Sequence, residues 1–207
     1  MRALVRQLIW CLLKTPYAEA RAAFSSYMGI SADFQVRLAT PADALTVADL
    51  HTRSWQTAYR GIMSDAYLDT VAPEERRVAW TQKLSASAPG NRAVLLAERS
   101  GCPVGFVCVV ADEDPQWGSF IDNLHVIPEQ QGSGGGRQLL RAAATWLIGR
   151  GAVGPVYLWV LEANTPARGF YRRMGAVETT PGWRNMPEGL RVPGVRCTWT
   201  AASTLAD

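Results

Sequence analysis

At 207 residues the chain can bury one sizeable core, or one core with an appendage, and 48% apolar and 19% charged residues are ordinary for a globular protein. A formal net charge of +3, with nineteen arginines scattered along the chain and lysine only at Lys14 and Lys83, argues against a nucleic-acid partner. The four cysteines form no CxxC pair and the two histidines, His51 and His125, form no HExxH. No metal motif and no disulfide framework is legible, and a reducing cytoplasm is the expected compartment.

In residues 1–30, Leu4, Val5, Leu8, Ile9, Leu12 and Leu13 make a helical stripe among Arg2, Arg6 and Lys14. Ala18-Glu19-Ala20 resembles a signal cleavage site, but the longest apolar run, Leu8–Leu13, is short for a secretory core and far short of a membrane span. We expect residues 1–32 to be a helical or loosely held extension, with Met28 as an alternative start, and residues 33–203 to be the domain. No membrane partner is expected.

From Gln35 the pattern is regular. Gln35–Leu38 is a short strand, and Thr40-Pro41-Ala42-Asp43 starts a helix carrying Leu45, Val47, Leu50 and Trp55. A loop over Tyr59–Met63 leads to a second helix from near Pro73 to Leu84. Arg92–Arg99 and Val104–Asp112 are apolar strands joined at Ser100-Gly101. After a polar turn comes a strand, Phe120–Val126, then a glycine loop and a helix reaching Ile148. Val156–Leu161 is a strand, Thr165-Pro166 opens a helix that Gly175 stops, and strands at Ala176–Thr180 and Val195–Thr200 close the chain. The order β-α-α-β-β-β-α-β-α-β-β implies a single mixed α/β sheet with helices on both faces.

The most informative segment is the glycine loop between Val126 and Leu139. Such a loop, opening directly into a helix, turns main-chain N–H groups toward one point, and the positive helix start makes a seat for an anion such as pyrophosphate. Three phosphate or nucleophile motifs fail here: a dinucleotide GxGxxG and a Walker loop both need glycine where Arg137 stands, and a GxSxG elbow needs glycine at Gln131. What fits is Q-x-x-G-x-G at Gln131, Gly134 and Gly136. A second segment, Asn164-Thr165-Pro166-Ala167-Arg168-Gly169-Phe170-Tyr171-Arg172-Arg173-Met174-Gly175, follows about 30 residues later. A plain Gly/Ser connector would explain the composition of the first, but not its place between a strand and a strongly periodic helix.

The two segments together resemble the GNAT superfamily of N-acetyltransferases, over roughly residues 34–200. The resemblance implies a GNAT-like sheet with a splayed central pair of parallel strands and acetyl-CoA as co-substrate. The acceptor would be a primary amine on a small molecule or peptide, with direct transfer in a ternary complex and a homodimer as an open assembly. It further implies main-chain contacts to the cofactor arm from Leu124, His125 and Val126, a pyrophosphate seat over Gln131, Gly132, Ser133, Gly134, Gly135, Gly136 and Arg137, and an arm contact from Asn164, which otherwise only caps its helix. Tyr171 matches the family's general acid, and a phenol with an ordinary pKa near 10 holds its proton at neutral pH; packing beside Phe170 is the other reading. Relatives place a histidine base where Asp122 stands, so Asp122 is the first candidate base, against a role as a hydrogen-bonded strand carboxylate. Strict alternation puts Asp122, Leu124 and Val126 on one face and Ile121, Asn123 and His125 on the other, so His125 reads as structural. The loop after the first helix borders the acceptor in this superfamily, which nominates Tyr59 and Arg60. Trp159 stands where members that modify protein N-termini carry glutamate. The runner-up is a silent acyl-CoA-binding sensor or scaffold; a longer acyl group would show as space beside Trp159 and Phe106.

Overall fold

Eight consecutive residues of one strand, Val104–Ala111, are buried. A strand can lose all of its side chains from solvent only when both faces of its sheet are covered. The computed structural model describes residues 34–205 apart from 86, 88 and 89; the expected extension over 1–32 lies outside them. Among the described residues seven strands form one sheet: β1 (Gln35–Leu38), β2 (Arg92–Arg99), β3 (Cys102–Asp114), β4 (Gly118–Val126), β5 (Val156–Leu161), β6 (Val177–Asn185) and β7 (Arg191–Trp199). Their spatial order is β1-β2-β3-β4-β5-β7-β6, and every neighbouring pair is antiparallel except β4 and β5.

Among the described residues, four α-helices cover the sheet: α1 (Ala44–Ala58), α2 (Ala72–Lys83), α3 (Gly135–Gly149) and α4 (Thr165–Arg173). The periodic stripe of α3, Leu139, Leu140, Ala143, Ala144 and Leu147, is wholly buried against β2, β3 and β4. This is what a 3.6-residue apolar period demands. In α1 the stripe runs through Val47, Leu50 and His51, while Leu45, expected on it, is 55% exposed. The order of elements is the one read from the sequence.

Two departures matter. The closing strands are longer than expected, because Pro181, Gly182, Pro193 and Gly194 read as breakers. They are tolerated where β6 forms the sheet edge and its pairing with β7 shifts register between Glu178 and Pro181. The second departure is a bulge in β4. Cys108 pairs with Asn123 but Val109 pairs with Ile121, so Asp122 is an extra residue in the ladder. Cys108 and Val109 point to opposite faces, and so must Asn123 and Ile121. The expected alternation is therefore broken: Asn123 and His125 lie on the face opposite Ile121.

Cys108 and Cys197 are free and buried.

Candidate active site

Strands β4 and β5 pair only at Ser119–Val156 and Phe120–Tyr157. Beyond that point the two diverge, β5 staying paired to β7 along its whole length. The gap lies toward the C-terminal ends of two parallel strands, the place where open α/β sheets bind ligands. It leads into a cleft of about 1080 Å³, walled by β4 from the bulge onward, the outer half of β5, the end of α1, the glycine loop and α4.

The glycine loop closes one side. Gly132 and Gly134 have φ of +76° and +98°, in the left-handed region that only glycine enters at little cost. Gly134 is the residue before α3, and the first N–H groups of a helix have no intrahelical acceptor. Gly136 is held small by a neighbour: a Cβ there would lie 3.1 Å from the Phe170 ring. Gln131, Gly132, Gly134, Gly136 and Arg137 line the cleft. Gly135 instead packs on Phe34, and Ser133 turns its hydroxyl back to the Gln130 carbonyl. Leu124, His125, Val126 and Asn164 line the cleft as well. The Asn164 side chain also accepts the Ala167 N–H at 3.2 Å, so it does cap α4.

Tyr171 projects from α4 into the same cleft, 8% exposed, its ring against Phe170 and Trp199. Burial pushes its phenol above the ordinary value of 10.0, and Tyr59 and Cys197 act in the same direction. The group stays a proton donor across the neutral range.

On the wall formed by α1, α2 and β4, aromatic rings meet two histidines. His51 and His125 lie 4.5 Å apart, and Phe106 and Trp80 extend the cluster. The Trp80 indole N–H donates to His51 Nδ1 at 2.9 Å, which places the neutral ring's proton on Nε2. That Nε2 is buried and has no partner among the described residues. His125 Nδ1 meets the Ser54 hydroxyl at 2.9 Å. Burial lowers both imidazoles, His51 well below 6.5 and His125 to about 4, with the Arg76 charge adding to the effect. His125 therefore lines the cleft as a neutral imidazole.

Between about pH 6.5 and pH 4 the unfolded chain binds protons at these two sites that the folded chain refuses, so stability falls as pH is lowered through that window. Each unit of depression is linked to about 1.4 kcal/mol. Urea midpoints measured from pH 7 to pH 4 should decline, and His125→Gln should flatten part of that slope.

Asp122, on the bulge, holds Lys83 Nζ at 2.5 Å. Both side chains are about 70% buried, and one carboxylate oxygen is engaged by the ammonium. The two expected acceptor residues separate. Tyr59 lines the cleft; Arg60 does not, because Asp65 and Asp69 hold its guanidinium at the surface at 2.8 and 2.6 Å. The sequence reading missed His51, Ser54, Arg76 and Lys83. Their spacing on α1 and α2 carried no motif; the signal was only that α1 turns His51 to the same side as Val47 and Leu50.

Comparison with known proteins agrees with this geometry. The model of the acetyltransferase (GNAT) family matches residues 49–176, more than half of the chain. A probable N-acetyltransferase of Mycobacterium tuberculosis is 30% identical over 142 residues, 68% of this chain and 78% of the relative. An uncharacterized N-acetyltransferase of Bacillus subtilis is 28% identical over 140 residues, 66% of this chain and 76% of the relative. Among solved structures, PaiA N-acetyltransferase from Thermoplasma acidophilum, in complex with coenzyme A, superposes with TM-score 0.63 at 17% identity, over 81% of this chain and 99% of that one. YncA from Salmonella typhimurium, with acetyl-CoA, superposes with TM-score 0.58 at 17% identity, over 81% and 94%. With a sheet that opens between β4 and β5, a glycine loop at the mouth of the gap and a family match spanning both, the chain belongs to the GNAT acetyltransferase family.

Proposed function

We propose that the protein moves an acetyl group from acetyl-CoA to a primary amine of a small molecule or peptide, by direct transfer. The observation that carries this reading is the splayed β4/β5 pair ending at Gly132–Arg137. From Ile121 onward β4 has no β5 partner, so its free edge has main-chain groups to pair with an extended arm, while the loop's glycine backbone and the open start of α3 suit a pyrophosphate. The co-substrate supplies an acetyl group activated as a thioester.

The chain's residues then have three tasks. Main-chain N–H groups of β4 past the bulge polarise the carbonyl. Tyr171 gives its phenolic proton to the departing sulfur as the carbon–sulfur bond breaks. A base takes the proton that the amine loses on forming the new carbon–nitrogen bond. Asp122 and His125 are the candidates, and His125 is the better one: it is neutral and free of any ion pair, whereas Asp122 is tied to Lys83.

Thiol release with an amine panel tests the reaction, and titration calorimetry with acetyl-CoA tests the seat. Binding of acetyl-CoA with no turnover of any amine would favour a silent sensor; no binding would overturn the assignment. For the base, His125→Gln should lower kcat by about tenfold to a hundredfold and remove the acidic limb of the pH profile, and Asp122→Asn should do less. The reverse order would restore Asp122 to that role.

A further inference from the structure

The walls of the cleft are strongly unbalanced in charge. Among the described residues, Arg76, Lys83, Arg173 and Arg184 line it, against one carboxylate, Asp122, which Lys83 already holds. Arg137 belongs to the first turn of α3, beside the phosphate seat. Arg76 belongs to the histidine wall. Its guanidinium lies 4.4 Å from the centre of the Trp55 ring, and its charge reaches both His51 and His125.

Arg76 is only 17% exposed yet poorly satisfied. It reaches Glu75 at 3.4 Å, through an oxygen that the Tyr67 hydroxyl also occupies, and its buried Nε has no partner among the described residues. A second unmet donor, the Nε2–H of His51, lies in the same wall, on a residue 4% exposed. A guanidinium lying over an indole and held by a single long ion pair has N–H groups to offer a planar anion through two parallel bonds.

We propose, resting on the acetyl-transfer reading above, that the acceptor is an amino carboxylate, whose carboxylate Arg76 binds while its amine meets the thioester. A polyamine or a lysine-rich segment would enter a positive field with no unengaged carboxylate to receive it. The same field disfavours the ammonium form of a bound amine, so it supplies the neutral nucleophile that the reaction needs.

Turnover of α-amino acids should be compared with that of their carboxamides and of an aliphatic diamine. The acids should lead the carboxamides by about tenfold or more in kcat/KM, the effect of one charge-assisted contact. Arg76→Gln should erase that ratio by raising KM for the acids, with acetyl-CoA affinity retained. A parallel measurement follows quenching of the cleft tryptophans by N-acetyl amino acids and their amides, on the free protein and on its coenzyme A complex. Tighter binding of the carboxylates, lost in Arg76→Gln, supports the proposal even if the amine panel misses the true acceptor. Equal binding of acid and amide, or preference for the diamine, overturns it. Failure to bind acetyl-CoA would sink the enzyme assignment alone, because carboxylate recognition is read on the free protein as well.

Discussion

Tyr171→Phe should lower kcat by about a hundredfold to ten-thousandfold, the range for loss of a positioned general acid. Phenylalanine keeps the ring that packs against Phe170 and Trp199, so the melting temperature and acetyl-CoA affinity should stay near those of the parent. The split is diagnostic. A packing role for Tyr171 predicts the opposite result, with altered stability and intact turnover. Burial, reinforced by Tyr59 and Cys197, raises the phenol, so the parent enzyme should not lose activity through Tyr171 ionisation at pH 8 or 9. Any alkaline limb in that range must come from another group. Wild-type thiol release by Tyr171→Phe at saturating acceptor would assign the proton to a different donor, or to solvent.

What the sequence disclosed and what it withheld follow from the range of the interactions concerned. The glycine loop and α3 were legible because their determinants are local: Gly132 and Gly134 are needed for their own φ, and the stripe from Leu139 to Leu147 repeats within one helix. Tyr171 was legible because its segment is contiguous. The bulge at Asp122 was not, since it is a property of the β3–β4 pairing and leaves no mark on β4 alone. The bulge moves Ile121 to the face of Leu124, while His125 stays opposite Leu124 and Val126. Arg76 and Lys83 read as solvated charges of α2; only the packing of α2 beside α1 sets Arg76 over Trp55 and Lys83 against Asp122. Arg60 is a matter of the same kind: it lies in the loop, but Asp65 and Asp69 draw its side chain outward. Side-chain positions that depend on two or more elements are where reading along the chain stops.

Gly134→Val should weaken coenzyme A and acetyl-CoA binding by tenfold or more while leaving the fold in place. Gly134 sits at φ +98°, and a Cβ added there would meet nothing within 4 Å, so the penalty is one of backbone conformation and not of crowding. Holding a β-branched residue in the left-handed region costs roughly 1–2 kcal/mol. The loop can escape that cost by turning its peptide planes, and the N–H groups then no longer converge on the phosphate position. Every 1.4 kcal/mol of lost contact is about a factor of ten in affinity. Gly134→Asn, which tolerates this region, should retain most of the binding. Gly136→Ala is the steric counterpart. Its methyl would meet Phe170 at 3.1 Å, and the ring it pushes precedes Tyr171 on α4, so kcat should fall along with affinity. Equal affinities for the parent and Gly134→Val, measured by calorimetry on folded protein, would mean that the diphosphate rests elsewhere, and the acetyl-transfer reading would lose its main support.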